Sequence, residues 1–342
     1  MTIRLPKPTA STKILACCLL WLGLIGALHY QLNSEPKQQA KVIMGYMPVI
    51  TNLAAPIVDA ASQDDDVRFQ AMKFSTFSEM GEAFRAGHIQ AAFIIAPLAV
   101  ALHRQGVPLK VVYIGNRHES TLVVRKDLNC SSFACLVGKT IAVPIRFSGH
   151  HLALKKALRD RGMDSQSIKI VEIPPPDMPS ALLSGGIDGY FVGEPFAAKS
   201  IEAGSAVKLL HVEDIWPEFI CNLMIVRDDL IQDHPEWVEK LVASAAGSGI
   251  WAREHMDDAI TLACRYWGQD PKVVRYAFNN PPGRVRFDLF TPKVEEMALI
   301  AKEMKLTGLI DDIPDIRTMV DDRFARRIDP NSSSTMAIKV PK

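Results

Sequence analysis

Acidic residues are missing from this chain before Glu35, and the usual enzyme signatures are missing from all 342 residues. There is no Gly-x-Ser-x-Gly elbow, no phosphate-cradling glycine loop and no His-Glu-x-x-His helix. The nine histidines do not fall into metal-ligand spacing with the six cysteines. No catalytic residue, metal or cofactor is therefore expected. Excess charge is lacking too, with 39 Lys+Arg against 38 Asp+Glu; without residues 1–30, which hold three basic residues, the balance is 36 against 38. So neutral a chain argues against nucleic acid as a partner. Mean hydropathy near zero argues against a polytopic membrane protein, while 48% apolar residues are enough for two cored domains.

What is present at the start is a basic flank, Arg4, Lys7 and Lys13, followed by the fifteen uncharged residues ILACCLLWLGLIGAL at 14–28. This is the pattern of an export signal, with the positive flank kept in the cytoplasm. The segment is either cleaved or retained as a membrane tether, and the remainder is expected in the periplasm or on the extracytoplasmic face of the inner membrane. Cys130 and Cys135, in an oxidising compartment, either close a short loop or stay free with Cys221 and Cys264.

Beyond a polar tether at 31–40, short apolar strands alternate with helices. Strands are expected at 41–49, 67–74, 91–96 and 110–115, with helices at 53–62, 77–86 and 98–105, and TLVVRKDL (121–128) leads into a Cys/Ser-rich joint. The alternation restarts with strands at 139–145, 168–173 and 189–192 and helices at 152–162 and 179–186. Such alternation predicts α/β units built on parallel sheets. ALLSGGIDGYFVGEP at 181–195 echoes AFRAGHIQAAFIIAP at 83–97, with five identities in fifteen positions at an offset of 98. The echo marks the same part of two similar units: a glycine ends a helix, a strand follows, and a proline stops it. The last third carries a strand at 221–231 and then helices at 234–256, 257–268, 270–279 and 292–308, expected to pack on the first unit.

PPPDMPSALLSGGIDGYFVGEPF (174–196), FSGHHL (147–152) and RVRFDLFTPKVEEM (284–297) resemble segments of the solute-binding proteins of ABC importers, in the nitrate, sulfonate, taurine and bicarbonate group. The resemblance covers roughly residues 41–325. It implies a two-lobed, type II periplasmic-binding fold with a ligand cleft between the lobes. It also implies a monomer that captures a small, anionic solute and delivers it to an ABC permease with its ATPase. The expected organisation is a signal peptide or anchor at 1–30, a linker at 31–40, lobe one at 41–128, lobe two at 129–220, the return and C-terminal helices at 221–325, and a flexible tail at 326–342. Nitrate binders of the group use a lysine on the long helix after the return. Here that helix reads LVASAAGSGIW (241–251) with Lys240 at its beginning, which counts against nitrate and leaves room for a larger ligand. Two other readings are a membrane-tethered sensor and an enzyme on the same fold related to thiamine-pyrimidine synthases.

Ligands of open sheets bind beyond the carboxyl ends of strands. In lobe one these ends offer Thr51 and Asn52, Ser75 and Thr76, and Ala96 and Pro97. In lobe two, Ser148, Gly149, His150 and His151 precede the helix at 152, whose N-terminus favours anions. Glu194 is either a ligand acceptor or a carboxylate at a helix start, and Asp177 a helix cap. His118 and Glu119 are expected at the rim or hinge, while Tyr46, Phe74 and Trp216 either line an organic ligand or belong to the core.

Overall fold

Both copies of the echoed segment fold into the same position of a five-stranded sheet in the computed structural model, which describes residues 10–33, 39–331 and 338. The basic flank at 1–9, the tether residues 34–38 and most of the expected tail (332–337 and 339–342) lie outside the described residues. The chain divides into two units, Met1–Ala40 and Lys41–Lys342. In the first, α1 (Ala10–Asn33) is a helix whose described apolar side chains, among them Leu19, Leu20, Trp21 and Leu22, are exposed. Among the described residues no helix is long and apolar enough to cross a membrane. The uncharged run of fifteen residues would span roughly 22 Å as a helix, against a hydrocarbon core of about 30 Å.

The second unit begins β1 (Ala40–Tyr46), α2 (Ala54–Ala61), β2 (Val67–Lys73), α3 (Phe77–Arg85), β3 (Ala91–Ile95), α4 (Ala96–Arg104) and β4 (Leu109–Ile114). It continues β5 (Ser120–Arg125), β6 (Thr140–Val143), α5 (Gly149–Asp160), β7 (Lys169–Glu172), α6 (Met178–Leu183), β8 (Gly189–Gly193), α7 (Phe196–Glu202) and β9 (Ala206–His211). The last part is β10 (Asn222–Arg227), α8 (Asp228–Asp233), α9 (Pro235–Glu254), α10 (Met256–Trp267), α11 (Pro271–Asn279) and α12 (Val294–Leu306). The sheet orders are β2-β1-β3-β10-β4 and β7-β6-β8-β5-β9. The echo superposes β3 on β8, the central strand of each sheet. Gly87 and Gly185, ahead of those strands, take left-handed φ values of 78° and 77° that a side chain would disfavour.

The sheets are mixed rather than purely parallel. β1 and β3 run parallel, as do β6 with β7 and with β8, but β10 is antiparallel to β3 and β4, and β5 to β8 and β9. The reason is connectivity. β5 and β10 start at the edge where the chain crosses between sheets, and the strands beside them end there, as Ser120 opposite Gly193 and Asn222 opposite Ile95 show. β5, expected to finish lobe one at residue 128, therefore belongs to the second sheet, and the crossing lies at residues 115–119. Arg117 forms isolated bridges with Ile220 and Arg286, so three crossing segments run side by side.

Three further expectations change. The C-terminal helices do not all cover the first sheet: α9 and α10 pack on α2, α11 packs on α7, and α12 touches both α4 and α5. α5 starts at Gly149 instead of 152 because Ser148 caps it, its hydroxyl accepting from His151 N at 3.2 Å. Asp177 makes no side-chain cap; it ends a 3-10 turn that runs directly into α6. Cys130 and Cys135 are joined as a disulfide, while Cys221 and Cys264 are free.

Candidate functional site

The lobes meet along a seam at the carboxyl ends of β1, β3, β6 and β8. From the first lobe, the turn after β1 contributes Thr51 and Asn52, both fully buried. Asn52 ties three strands together. Its amide donates to Met47 O (3.2 Å) and Phe93 O (3.3 Å), and its Oδ1 accepts from Asn222 Nδ2 (2.6 Å). Asn116 Nδ2 donates to Ile50 O at 2.7 Å. Gly115 lets the crossing segment approach so closely that a Cβ there would lie 2.3 Å from Thr51 O.

The second lobe faces this turn with a chain of buried polar groups. His150, in the first turn of α5, has Nε2 2.9 Å from Ser120 Oγ, which donates to Glu119 Oε1 at 2.8 Å. Glu119 Oε2 accepts from Glu194 N at 2.7 Å. The Glu194 carboxylate turns inward, accepting from Thr121 Oγ1 and from Ala198 N in α7, each at 2.8 Å. Arg284 closes the cluster by donating to Ser120 O (2.6 Å), Thr121 Oγ1 (3.3 Å) and both oxygens of Glu213 (2.7 and 3.0 Å). Two contacts join the lobes here: Ile50 N donates to Glu194 O at 2.8 Å, and Cys221 Sγ stands 3.8 Å from His150 Nε2 while donating to Asn222 Oδ1.

Burial sets the protonation of this cluster. It pushes His150 down to about 3, so the ring is neutral at physiological pH. It raises Glu119 and lifts Glu194 to about 7, opposed in both by hydrogen bonds and by the Arg284 charge. Burial also raises the Cys221 thiol, which touches Glu119, Ser120 and Thr51. Because Ser120 gives its proton to Glu119, the hydrogen-bond pattern places the ring proton of His150 on Nε2. Nδ1 then presents a lone pair, and it is buried without a partner, as are Thr51 Oγ1 and Asn116 Oδ1. In the Ser120–His150 contact the hydroxyl donates to Glu119 and not to the ring, the reverse of the arrangement that activates a serine nucleophile.

Of the sequence-derived candidates, Thr51, Asn52, Ala96, Ser148, Gly149, His150 and Glu194 are buried around this seam. Ala96 N donates to Cys221 O at 3.0 Å, and Pro97 and Gly149 line a neighbouring cavity. Ser75 and Thr76 do not join: Ser75 is exposed, and Thr76 Oγ1 caps α3 by accepting from Glu79 N at 3.1 Å. His151 looks away, among Lys155, Glu172 and Arg146, and burial lowers it to about 4. Lys240 pairs with Asp65 at 2.9 Å. The small residues of α9 do border the seam, but the room they leave is taken by Phe287: a void beside Thr51, Asn116, Ser248 and Gly249 measures only about 10 Å³. Tyr46 and Phe74 belong to the core, whereas Trp216 lines the cavity with Pro97.

Sequence reasoning missed Ser120, Thr121, Cys221, Asn222 and Arg284, and put Glu119 at the rim or hinge. The available signal was the polar run NRHEST (116–121) between two apolar strands, which marks the crossing.

A model of the NMT1-like family matches residues 35–265. Over 178 residues the chain is 33% identical to the taurine-binding periplasmic protein of Escherichia coli (strain K12), covering 51% of this chain and 54% of that protein. The chain spans about a third to a half of the length of the curated relatives it matches. The periplasmic nitrate-binding protein NrtA from Synechocystis PCC 6803 superposes with a TM-score of 0.76 at 13% identity, covering 85% of this chain and 88% of that one. The alkanesulfonate-binding protein SsuA from Xanthomonas axonopodis pv. citri, bound to MOPS, gives 0.72 at 17%, covering 84% and 99%. At these identities the structural likeness is one of fold, the two-lobed periplasmic-binding architecture.

Proposed function

The chain belongs to the NMT1-like family, and from that premise we propose that it is an extracytoplasmic solute-binding protein and not an enzyme. It captures a small solute with an acidic head between its lobes and hands it to a membrane permease driven by a cytoplasmic ATPase. It acts as a monomer, held at the membrane where residues 14–28 are retained. One observation supports the reading: Thr51 Oγ1 from one lobe and His150 Nδ1 from the other are both buried without hydrogen-bond partners. A solute satisfying both touches both lobes and stabilises their closed arrangement through its differential affinity.

The contacts we assign are Thr51, Asn52 and Ala96 on the first lobe and Ser148 and His150 on the second, while Pro97 and Gly149 face the neighbouring cavity. The N-terminus of α5 favours the acidic head through its dipole. The lone pair on His150 Nδ1 favours a solute that also carries a donor, such as an amine. The taurine- and alkanesulfonate-binding relatives support a sulfonate head. Thermal unfolding with nitrate, bicarbonate, taurine and longer alkanesulfonates tests this. A bound solute at 100 times its Kd adds about 2.7 kcal/mol. A sulfonate is expected to raise the melting temperature of the wild type and not of His150→Ala; a cooperatively melting protein that answers to no member of the panel would overturn the reading.

A further inference from the structure

Phe219, whose ring lies 5.9 Å from that of His150, also lines a cavity of about 170 Å³ that the seam does not use. Its walls are Pro97 of α4, Gly149 and Leu152 of α5, the crossing segment 216–220, and Glu296, Leu299 and Ile300 of α12. His150, Ser120, Glu119 and Thr51 do not line it. The cavity matches the size of an apolar void that accommodates benzene, which is about 150 Å³. Leu152, Phe219, Ile220 and Ile300 are buried in its walls, and Leu299, half exposed, forms its lip.

Its polar groups carry one sign. Glu218 and Glu296 are the charged residues among the lining. Arg117, itself buried, pairs with Glu296 at 3.1 Å and also donates to Glu218 O and Leu289 O, which fixes this wall. Glu218 is held there in a left-handed conformation, φ 56°. Arg286, which feels the Glu218 charge, is matched by Asp288 at 2.7 Å. Of the two lining carboxylates, Glu296 is thus matched by Arg117, whereas Glu218 forms no salt bridge among the described residues; beside the aromatic rings of Trp216 and Phe219 this attracts a cation with a hydrocarbon body.

We propose that this cavity is a second binding site, for a small organic amine about the size of benzene, distinct from the acid-head site at the seam. Both lobes and α12 contribute walls, so its occupancy is coupled to the arrangement of the lobes.

The test is titration of the full chain, by calorimetry and ligand-observed NMR, with benzylamine, its neutral counterpart benzyl alcohol and its anionic counterpart benzoate. Benzylamine is expected to bind saturably, at least tenfold tighter than benzyl alcohol, with benzoate weakest. Glu218→Gln should bring benzylamine down to the level of benzyl alcohol, and Leu299→Trp, which fills the mouth from an exposed position, should abolish binding of both; each variant's melt verifies folding. The proposal is overturned if none of the three probes saturates the wild type, if the alcohol or benzoate binds as tightly as the amine, or if folded Leu299→Trp binds benzylamine unchanged. None of these outcomes bears on sulfonate capture, which is read separately through His150→Ala.

Discussion

His150 and Ser120 stand 2.9 Å apart, ring Nε2 to hydroxyl, across a 30-residue separation. That contact decides which ring nitrogen carries the proton. The hydroxyl is oriented by Glu119, so it accepts from Nε2–H and leaves Nδ1 as a buried, unpaired lone pair.

Replacing the hydroxyl tests this orientation. Ser120→Ala removes one acceptor and one donor from fully buried partners, which costs about 1–3 kcal/mol. Urea denaturation should show a lower midpoint with an unchanged m-value, and solute affinity should fall because the ring loses its fixed tautomer. Unchanged stability would mean that the relay contributes nothing.

Glu194 gives the seam a pH signature. Its folded value of about 7 lies above the ordinary 4.5, so its contribution to stability is present below about pH 4.5 and is lost as pH rises through 7. Glu194→Gln removes that dependence. The stability difference between wild type and variant should therefore shift against the wild type between pH 4.5 and 7.5, by a total on the order of 3 kcal/mol. His150 acts in the opposite sense: with a folded value of about 3, it costs stability as pH falls below about 6.5. A flat difference curve for Glu194→Gln would show that this carboxyl titrates normally.

Gly115→Ala places a methyl group 2.3 Å from a backbone oxygen, Thr51 O, which cannot swing aside as a side chain would. We expect a loss of about 2–4 kcal/mol together with weakened solute binding, since the turn carrying Thr51 must move. Calorimetric melting of the variant measures the first effect. A melting temperature within a degree of wild type would mean that the crossing segment is free to retreat.

Arg284 is 8% exposed and serves Glu213, Ser120 and Thr121 at once. Arg284→Ala strands the half-buried Glu213 carboxylate and the buried Ser120 carbonyl, a loss of about 1–3 kcal/mol. In a double-mutant cycle, adding Glu213→Gln to Arg284→Ala should restore part of the loss. If the two effects simply add, the pair is not coupled.

The sequence by itself determined the alternation of strands and helices, and through the echo at 83–97 and 181–195 it determined which strands are equivalent. That is because alternation, helix-ending glycines and strand-stopping prolines are local chemistry. It also pointed to Thr51, Asn52 and His150 as residues at strand ends and helix starts, positions visible in pattern, and the structure buries all three. Only the tertiary structure decided that β5 crosses into the second sheet and runs antiparallel, because the direction of a strand depends on the edge from which the chain arrives. The same holds for Glu119, Cys221 and Arg284. A charged or polar residue on a crossing segment looks solvent-exposed until two lobes close over it, and its burial is set by partners as far away as the 164 residues between Ser120 and Arg284.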